Sequence, residues 1–156
     1  MHLRLRYEEF RALVDALARA GQREIGGQMF GEQIAPSQFQ ITELTVQSRR
    51  GTIARFVVDL VEAARTAFNF FQRTGHDYAR FNYIGEWHSH PRFDVRPSST
   101  DTSTMREMVT SVDFRGSFAV LMIVRLDGTQ LRSGAWLFDP KGRGQSVKLE
   151  VEDERQ

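Results

Sequence analysis

Two histidines separated by one residue are the feature of the sequence best suited to chemistry. His88 and His90 lie in the phrase EWHSHP, within a stretch that predicts a β-strand over 83–90. Residues i and i+2 of a strand point to the same face, so both imidazoles are directed at one region of space. This arrangement suits a metal ion, but an isolated pair of this kind can also be a hydrogen-bonded pair at the surface.

A serine and an aspartate follow the histidines at a spacing that completes a ligand set. The phrase RPSSTD supplies Ser98 and Asp101. Two neutral imidazoles and one carboxylate are typical ligands of a catalytic zinc, whose fourth position stays open for water. The chain has no cysteine, so neither a disulfide framework nor a thiolate-bound structural zinc can form. We therefore predict one catalytic Zn²⁺ bound by His88, His90 and Asp101.

Together with Glu24, these residues resemble the signature of the JAMM metalloproteases, also called the JAB1/MPN/Mov34 or MPN-plus family. Glu24 begins the glycine-rich phrase EIGGQMFG, 64 residues before His88. The phrase GEWHSHP is most similar to the short bacterial members, the Prok-JAB type. The resemblance implies an MPN/JAB (cytidine-deaminase-like) architecture, zinc bound by His88, His90 and Asp101, and Glu24 and Ser98 as catalytic residues.

The two catalytic residues also have simpler interpretations. The resemblance makes Glu24 the general base, which takes the proton of the attacking water and later delivers it to the leaving amine. From the sequence alone, Glu24 would be a surface glutamate just past a helix end. Ser98 could cap a helix by accepting from a backbone N–H, or stabilise an oxyanion by donating toward it. We predict the oxyanion role, with Ser99 as the alternative cap.

The resemblance also implies a reaction, the hydrolysis of the amide after the C-terminal glycine of a ubiquitin-like modifier. The expected partner is a ubiquitin-like protein whose extended C-terminal tail adds as a strand beside the site. Several short bacterial members are linked to anti-phage operons, so modifier-activating and conjugating enzymes are further expected partners. Two alternatives stay open: a peptidase that processes a sulfur-carrier protein in cysteine or cofactor synthesis, and a catalytically silent MPN scaffold.

Composition and charge argue against other classes of function. The chain has 156 residues, of which 40% are apolar and 26% charged, as in one ordinary folded domain. Its net charge of +1 gives no sequence-wide attraction to nucleic acid or to anionic membranes. The first residues, MHLRLRYEEF, contain no apolar signal region, and no apolar run reaches the roughly 18 residues of a membrane span. We expect a cytoplasmic protein that binds neither nucleic acid nor membrane.

The hydrophobic pattern predicts the elements that position the candidate residues. Helical spacing of apolar residues predicts helices over 7–20, 59–74 and 98–112. Strands are predicted over 2–6, 24–31, 39–46, 53–58, 83–90, 117–126, 130–138 and 146–151, the first of them at a sheet edge. This order predicts an α/β (α+β) fold, a single-domain mixed β-sheet flanked by helices. The domain is expected over 1–151, followed by a frayed acidic end over 152–156.

Overall fold

The computed structural model describes residues 1–47 and 60–154. These parts of the chain contain three helices, α1 (Tyr7–Ala20), α2 (Leu60–Arg73) and α3 (Ser99–Thr110). They also contain seven strands: β1 (His2–Leu5), β2 (Gly26–Ala35), β3 (Gln38–Leu44), β4 (Phe81–Ser89), β5 (Ala119–Asp127), β6 (Gln130–Phe138) and β7 (Gly144–Val151).

The sheet closes into a barrel, so the expected mixed β-sheet flanked by helices is wrong. The strand order is β1-β3-β2-β4-β5-β6-β7, and β1 pairs in parallel with both β3 and β7 to close the circle. The hydrophobic pattern of a strand indicates that it pairs, but not with which partner, and the partners of β1 are distant in sequence. For the same reason β1, which we expected at a sheet edge, is paired on both sides.

The interior of the barrel holds one apolar cluster to which every strand contributes. Helix α1 belongs to the same cluster through the buried residues of its apolar face. Gly21 follows the helix with φ 59°, and its backbone N donates to Leu17 O at 3.0 Å. The buried members are Leu3, Leu5, Leu13, Ala16, Leu17, Ala20, Ile25, Met29, Ile41, Ile84, Trp87, Val120, Met122, Val124 and Ala135.

Helix α3 packs on the outside of the barrel. Alternate residues of β5 face opposite ways: Val120 and Met122 join the interior cluster, whereas Leu121 and Ile123 pack against Met105 of α3 in a second cluster. A strand that is buried on both faces needs a continuous apolar run, which is the pattern that predicted β5. The second cluster fixes α3 against β5 and β6, and with it the residues at the start of the helix.

Strand β4 contains a bulge that sets the direction of the residues after it. Tyr83 pairs with Phe30 of β2, but Gly85 pairs with the adjacent Met29, so Ile84 is an extra residue. As a result Ile84 and Trp87, three residues apart, both belong to the interior cluster. The residue after Trp87 therefore faces outward, toward α3.

The predicted elements agree with the structure in kind. The helix over 7–20 is confirmed as α1, α2 ends one residue earlier than predicted, and α3 is shorter at both ends than predicted. The strand predicted over 53–58 and the start of the helix predicted at 59 lie outside the described residues. The domain range 1–151 and the frayed end over 152–156 stay predictions. Within the described parts of the chain, no helix combines the length and hydropathy needed to cross a membrane.

Candidate metal centre

Three side chains converge where β4 ends and α3 begins. Nε2 of His88 and Nε2 of His90 are 3.0 Å apart. Asp101 places Oδ1 3.5 Å from Nε2 of His88 and Oδ2 3.7 Å from Nε2 of His90. Tetrahedral ligands at about 2.0–2.2 Å from zinc lie about 3.3–3.6 Å from one another, and the three observed distances lie within about 0.3 Å of that range, so the three residues could share a zinc ion. Within residues 1–47 and 60–154 this is the one group of His, Asp and Glu side chains close enough to share a metal ion.

A backbone carbonyl fixes the tautomer of His90. Nδ1 of His90 lies 2.9 Å from the carbonyl oxygen of Asp94, which can only accept, so Nδ1 carries the proton. In the neutral ring Nε2 then keeps its lone pair and is ready to bind a metal. Asp94 contributes this backbone oxygen to the site.

Asp101 combines a position in the helix cap with a position in the metal centre. Its backbone N donates to Ser98 Oγ at 3.1 Å, while the backbone N and the hydroxyl of Ser98 both donate to its Oδ2 at 2.7 Å. Burial raises the pKa of Asp101, but hydrogen bonds from His88 and Ser98 lower it by more, so its pKa lies well below the usual range. The carboxylate is thereby held in the ionised form that a metal needs.

Ser98, not Ser99, caps helix α3. The reciprocal hydrogen bonds between Ser98 and Asp101 form a capping box, and Ser99 is the first helical residue. The Ser98 hydroxyl donates to Asp101 in this structure, so the group predicted to stabilise an oxyanion is engaged in the cap. The oxyanion role of Ser98 stays a prediction.

Ser89 joins β4 to the segment that precedes β2. Ser89 is buried, and its Oγ accepts a hydrogen bond from Ile25 N at 3.0 Å. In return the backbone N of Ser89 donates to Ile25 O at 2.8 Å. The two bonds hold Glu24, the residue before Ile25, next to the end of β4. The sequence did not single out Ser89, because its partner is 64 residues away.

Glu24 lies two residues before β2, and the last pair between β2 and β4 is Gly26 with His88. The hydrogen bonds between Ile25 and Ser89 continue this pairing by one residue beyond Gly26 and His88. If the register continued one residue further, Glu24 would be opposite His90, on the face that carries both imidazoles. Glu24 is partly exposed and is not a member of the candidate metal-ligand group. Its role as a general base stays a prediction.

A partly buried polar pair, Tyr83 and Glu86, precedes His88 on the same outer face of β4. The hydroxyl of Tyr83 donates to Oε1 of Glu86 at 2.5 Å, and its oxygen is 3.9 Å from Sδ of Met108 on α3. Burial raises the pKa of Glu86 to about 7, although hydrogen bonds from Tyr83 and Gln28 lower it in part. Burial also raises the pKa of Tyr83 well above its usual value, with the charge of Glu86 adding to the effect.

The comparisons with known proteins identify the family. The family model described as prokaryotic homologs of the JAB domain, Prok-JAB, matches residues 8–137. The chain therefore belongs to the Prok-JAB family, and the matched range includes Glu24, His88, His90, Ser98 and Asp101. No curated protein is detectably similar to the chain.

A solved structure shares the fold. The solution structure of protein DSY2949 from Desulfitobacterium hafniense is similar with a TM-score of 0.71 and 17% sequence identity. The similarity covers 97% of this chain and 94% of that chain. At this level of identity the likeness establishes a common fold.

Proposed function

We propose that this protein is a zinc-dependent isopeptidase that hydrolyses the amide after the C-terminal glycine of a ubiquitin-like modifier. The observation that carries the proposal is the group of His88, His90 and Asp101, whose ligand atoms are 3.0–3.7 Å apart. Three ligands of this kind leave a position open, as a hydrolytic zinc site requires. Membership in the Prok-JAB family supports the same reaction.

Each polar residue of the site has a part in the proposed reaction. Zinc held by His88, His90 and Asp101 would supply Lewis-acid activation of water and of the scissile carbonyl. Glu24 would take a proton from the attacking water and deliver it to the leaving amine. Ser98 would donate its hydroxyl proton toward the developing negative charge on the carbonyl oxygen, for which the O–H must turn away from Asp101.

A short extended segment beside the site supports binding of a modifier tail as an added strand. Thr45 N donates to Gln28 O at 3.0 Å and Gln47 N donates to Gly26 O at 2.7 Å. Val46, between them, therefore directs its backbone N–H and C=O away from β2, and its side chain is 43% exposed. A Gly-Gly tail fits such a place, because only glycine lets a backbone approach a crowded metal closely.

The loop between the ligands supplies further candidates for contact with the substrate. Phe93 is 57% exposed, and its ring lies edge-on to the His90 ring with centroids 6.3 Å apart. Arg92 donates through Nε to Gln22 Oε1 at 3.1 Å, which ties the loop to the turn before Glu24. An exposed aromatic ring beside the ligands would contact the residues that flank the scissile bond.

The deciding experiment is the substitution Glu24→Gln. The change keeps the shape of the side chain but removes its basicity, so cleavage should fall by about a hundredfold to ten-thousandfold. The substrate is a ubiquitin-like modifier that ends in Gly-Gly and is joined through that glycine to a reporter amine. Zinc content, melting temperature, modifier binding and cleavage are measured on one preparation, and only cleavage should change.

Glu32→Gln is the matched control. Glu32 lies on β2, the strand that follows Glu24, but pairs with Arg80 through Oε1, away from the ligands, so its substitution should leave cleavage unchanged. Near-wild-type cleavage by Glu24→Gln would remove Glu24 from the mechanism. Less than about half an equivalent of zinc in the wild-type protein, with no hydrolysis after zinc addition, would favour a silent scaffold.

The modifier's pathway is part of the proposal. A bacterial ubiquitin-like conjugation system, including one with an anti-phage role, would supply the substrate through activating and conjugating enzymes. A sulfur-carrier protein that must be trimmed before use is the alternative substrate, and the same residues would cleave it. Assaying both types of modifier with one enzyme preparation distinguishes them by their relative kcat/KM.

A further inference from the structure

An arginine on β5 holds the loop that orients His90. Nη1 of Arg125 donates to the carbonyl oxygen of Phe93 at 2.9 Å. The next carbonyl along the chain is that of Asp94, which accepts from Nδ1 of His90 at 2.9 Å. The peptide plane that carries the Phe93 carbonyl ends at the Cα of Asp94, so fixing it leaves only the φ and ψ of Asp94 between the held carbonyl and the one that accepts from His90. Arg125 is therefore one peptide away from the group that sets the His90 tautomer.

The guanidinium is itself held in place. Asp127 lies two residues further along β5, and Oδ1 is 2.8 Å from Nε of Arg125. Nη2 of Arg125 also donates to Oδ2 of Asp127 at 3.0 Å. A planar guanidinium fixed along one edge has a defined direction for its remaining donors, unlike a lysine ammonium. The side chain of Arg125 is 23% exposed.

Strand β5 also holds the other end of the same turn. The backbone N of His90 donates to Val124 O at 2.9 Å, one residue before Arg125. Phe93 N donates to His90 O at 3.4 Å, which closes the turn between them. His90 is thus attached to β5 in two ways. Its backbone N bonds directly to Val124, and its ring is connected through the loop carbonyls to Arg125.

We infer that Arg125 is a positioning residue for the metal ligand His90. It holds the Asp94 carbonyl against Nδ1, which keeps the Nε2 lone pair directed at the metal. The inference depends on the metal centre of the proposed function, but it goes beyond the residues that bind the metal or touch the substrate. Partners that orient a ligating histidine typically contribute a factor of about 10–100 to metal affinity.

The test is the zinc affinity of Arg125→Ala, with Arg132→Ala as the matched control. Arg132 is opposite Arg125 on β6 and pairs with the same Asp127, Nε to Oδ2 at 2.7 Å, but it is not bonded to the loop. Competition with a chromophoric chelator should give a zinc Kd about tenfold weaker for Arg125→Ala. Arg132→Ala should stay within about twofold of wild type.

A second measurement needs no metal. Nitrogen-15 NMR of the metal-free protein reports which ring nitrogen of His90 is protonated, and wild type should show Nδ1–H. Arg125→Ala should show a mixture of His90 tautomers. Arg125→Lys keeps a hydrogen-bond donor but lacks the planar guanidinium, so it should recover part of the wild-type signal. A role limited to stability would lower the melting temperature without changing the tautomer.

The outcomes separate the inference from the proposed function. Wild-type zinc affinity and an unchanged His90 tautomer in Arg125→Ala would overturn the inference, as would equal losses in Arg125→Ala and Arg132→Ala. If the wild-type protein bound no zinc, the proposed function would fail, and the tautomer measurement would still decide whether Arg125 orients His90. If Arg125→Ala did not fold, the Arg125→Lys comparison would decide instead.

Discussion

At the residue scale, Asp101 contributes the same carboxylate to the helix cap and to the candidate metal site. The Asp101 carboxylate accepts from the backbone N of Ser98 and closes the first turn of α3, while both of its oxygens lie within 3.7 Å of the imidazoles. The cap therefore fixes the ligand before any metal binds. Such a site loses little conformational entropy on binding, which favours metal affinity.

Substitution of Ser98 by alanine should distinguish its role as a helix cap from its predicted role in catalysis. Loss of the cap should destabilise the protein by about 1 kcal/mol, while zinc stays bound because all three ligands remain. If Ser98 also stabilises the oxyanion, kcat should fall by about a hundredfold to a thousandfold. Melting temperature, zinc content and kcat are measured, with Ser99→Ala as the control because Ser99 does not cap the helix. Full turnover in Ser98→Ala would show that Ser98 only caps the helix and takes no part in catalysis.

Substitution of Ser89 by alanine should displace Glu24 without removing the metal. The change leaves the buried N–H of Ile25 without its acceptor, which costs about 1–3 kcal/mol. Small displacements of a catalytic group can lower the rate by about a hundredfold, so kcat should fall while zinc content stays constant. Ser89→Thr keeps the oxygen and should keep most of the turnover. Amide exchange at Ile25 should accelerate in Ser89→Ala only, and unchanged exchange together with full turnover would contradict the role.

Only part of the site could be predicted from the sequence, for reasons specific to each residue. His88, His90 and Asp101 have spacings dictated by one strand and the start of one helix, so a local pattern predicted the group that the structure brings together. The Asp94 carbonyl has no side-chain signature, because every residue carries a carbonyl. Ser89 was not found because its contact depends on the pairing of distant segments.

At the scale of single elements, the bulge in β4 is what directs the ligands outward. If Ile84 were paired regularly and β4 alternated strictly from Tyr83 without a bulge, the side chains of Glu86 and His88 would point into the barrel. The pattern of the sequence predicted the strand, but a bulge changes only the register against the neighbour, which a single strand cannot reveal. Gly85 beside it is the one visible sign, since glycine often marks a bulge.

Replacing Gly85 by alanine should therefore damage both the fold and the site. Gly85 has φ 155°, and a Cβ there would be 1.9 Å from the carbonyl oxygen of Val120 on the neighbouring strand. We expect a loss of at least about 3 kcal/mol in the free energy of unfolding, together with weaker zinc binding, because β4 must move away from β5. Thermal unfolding and zinc titration measure both effects.

The control for that change is Gly128→Ala in the hairpin between β5 and β6. Gly128 has φ 61° but no atom within 4 Å of the position of a Cβ, so only the cost of a left-handed alanine applies, about 1 kcal/mol. Zinc affinity should not change in this variant. If the two alanine variants were equally stable, the contact with β5 would not be what requires glycine at position 85.

At the scale of the whole molecule, closure of the barrel is the property that the sequence could not reveal. Each of the seven strands in residues 1–47 and 60–154 was predicted from the hydrophobic pattern of the sequence. The pairing of β1 was not, because this strand is only four residues long and its partners are β3 and β7. Parallel pairing between the start and the end of the chain leaves no local pattern. Leu3 and Leu5 are buried because alternate residues of β1 point into the interior of the closed barrel.

Removal of zinc should abolish cleavage and leave the closed barrel folded. Neither apolar cluster contains a metal ligand, so the packing of the core does not depend on the ion. Free zinc at about 100 times its Kd stabilises a protein by about 2.7 kcal/mol. For a chain of this size a chelator should then lower the melting temperature by roughly 5–10 °C. Circular dichroism, thermal unfolding and cleavage are measured before chelation, after it, and after zinc is restored.

Two controls make the chelation result specific to the site. His88→Ala should show no chelator-dependent change in melting temperature, because two protein ligands hold the ion far more weakly than three. Thiol-directed reagents should leave cleavage intact, since the chain has no cysteine. Loss of the far-ultraviolet circular dichroism signal on chelation would instead mean that the ion supports the barrel. That outcome is not expected, because the strands close through backbone pairs and interior side chains that lie apart from His88, His90 and Asp101.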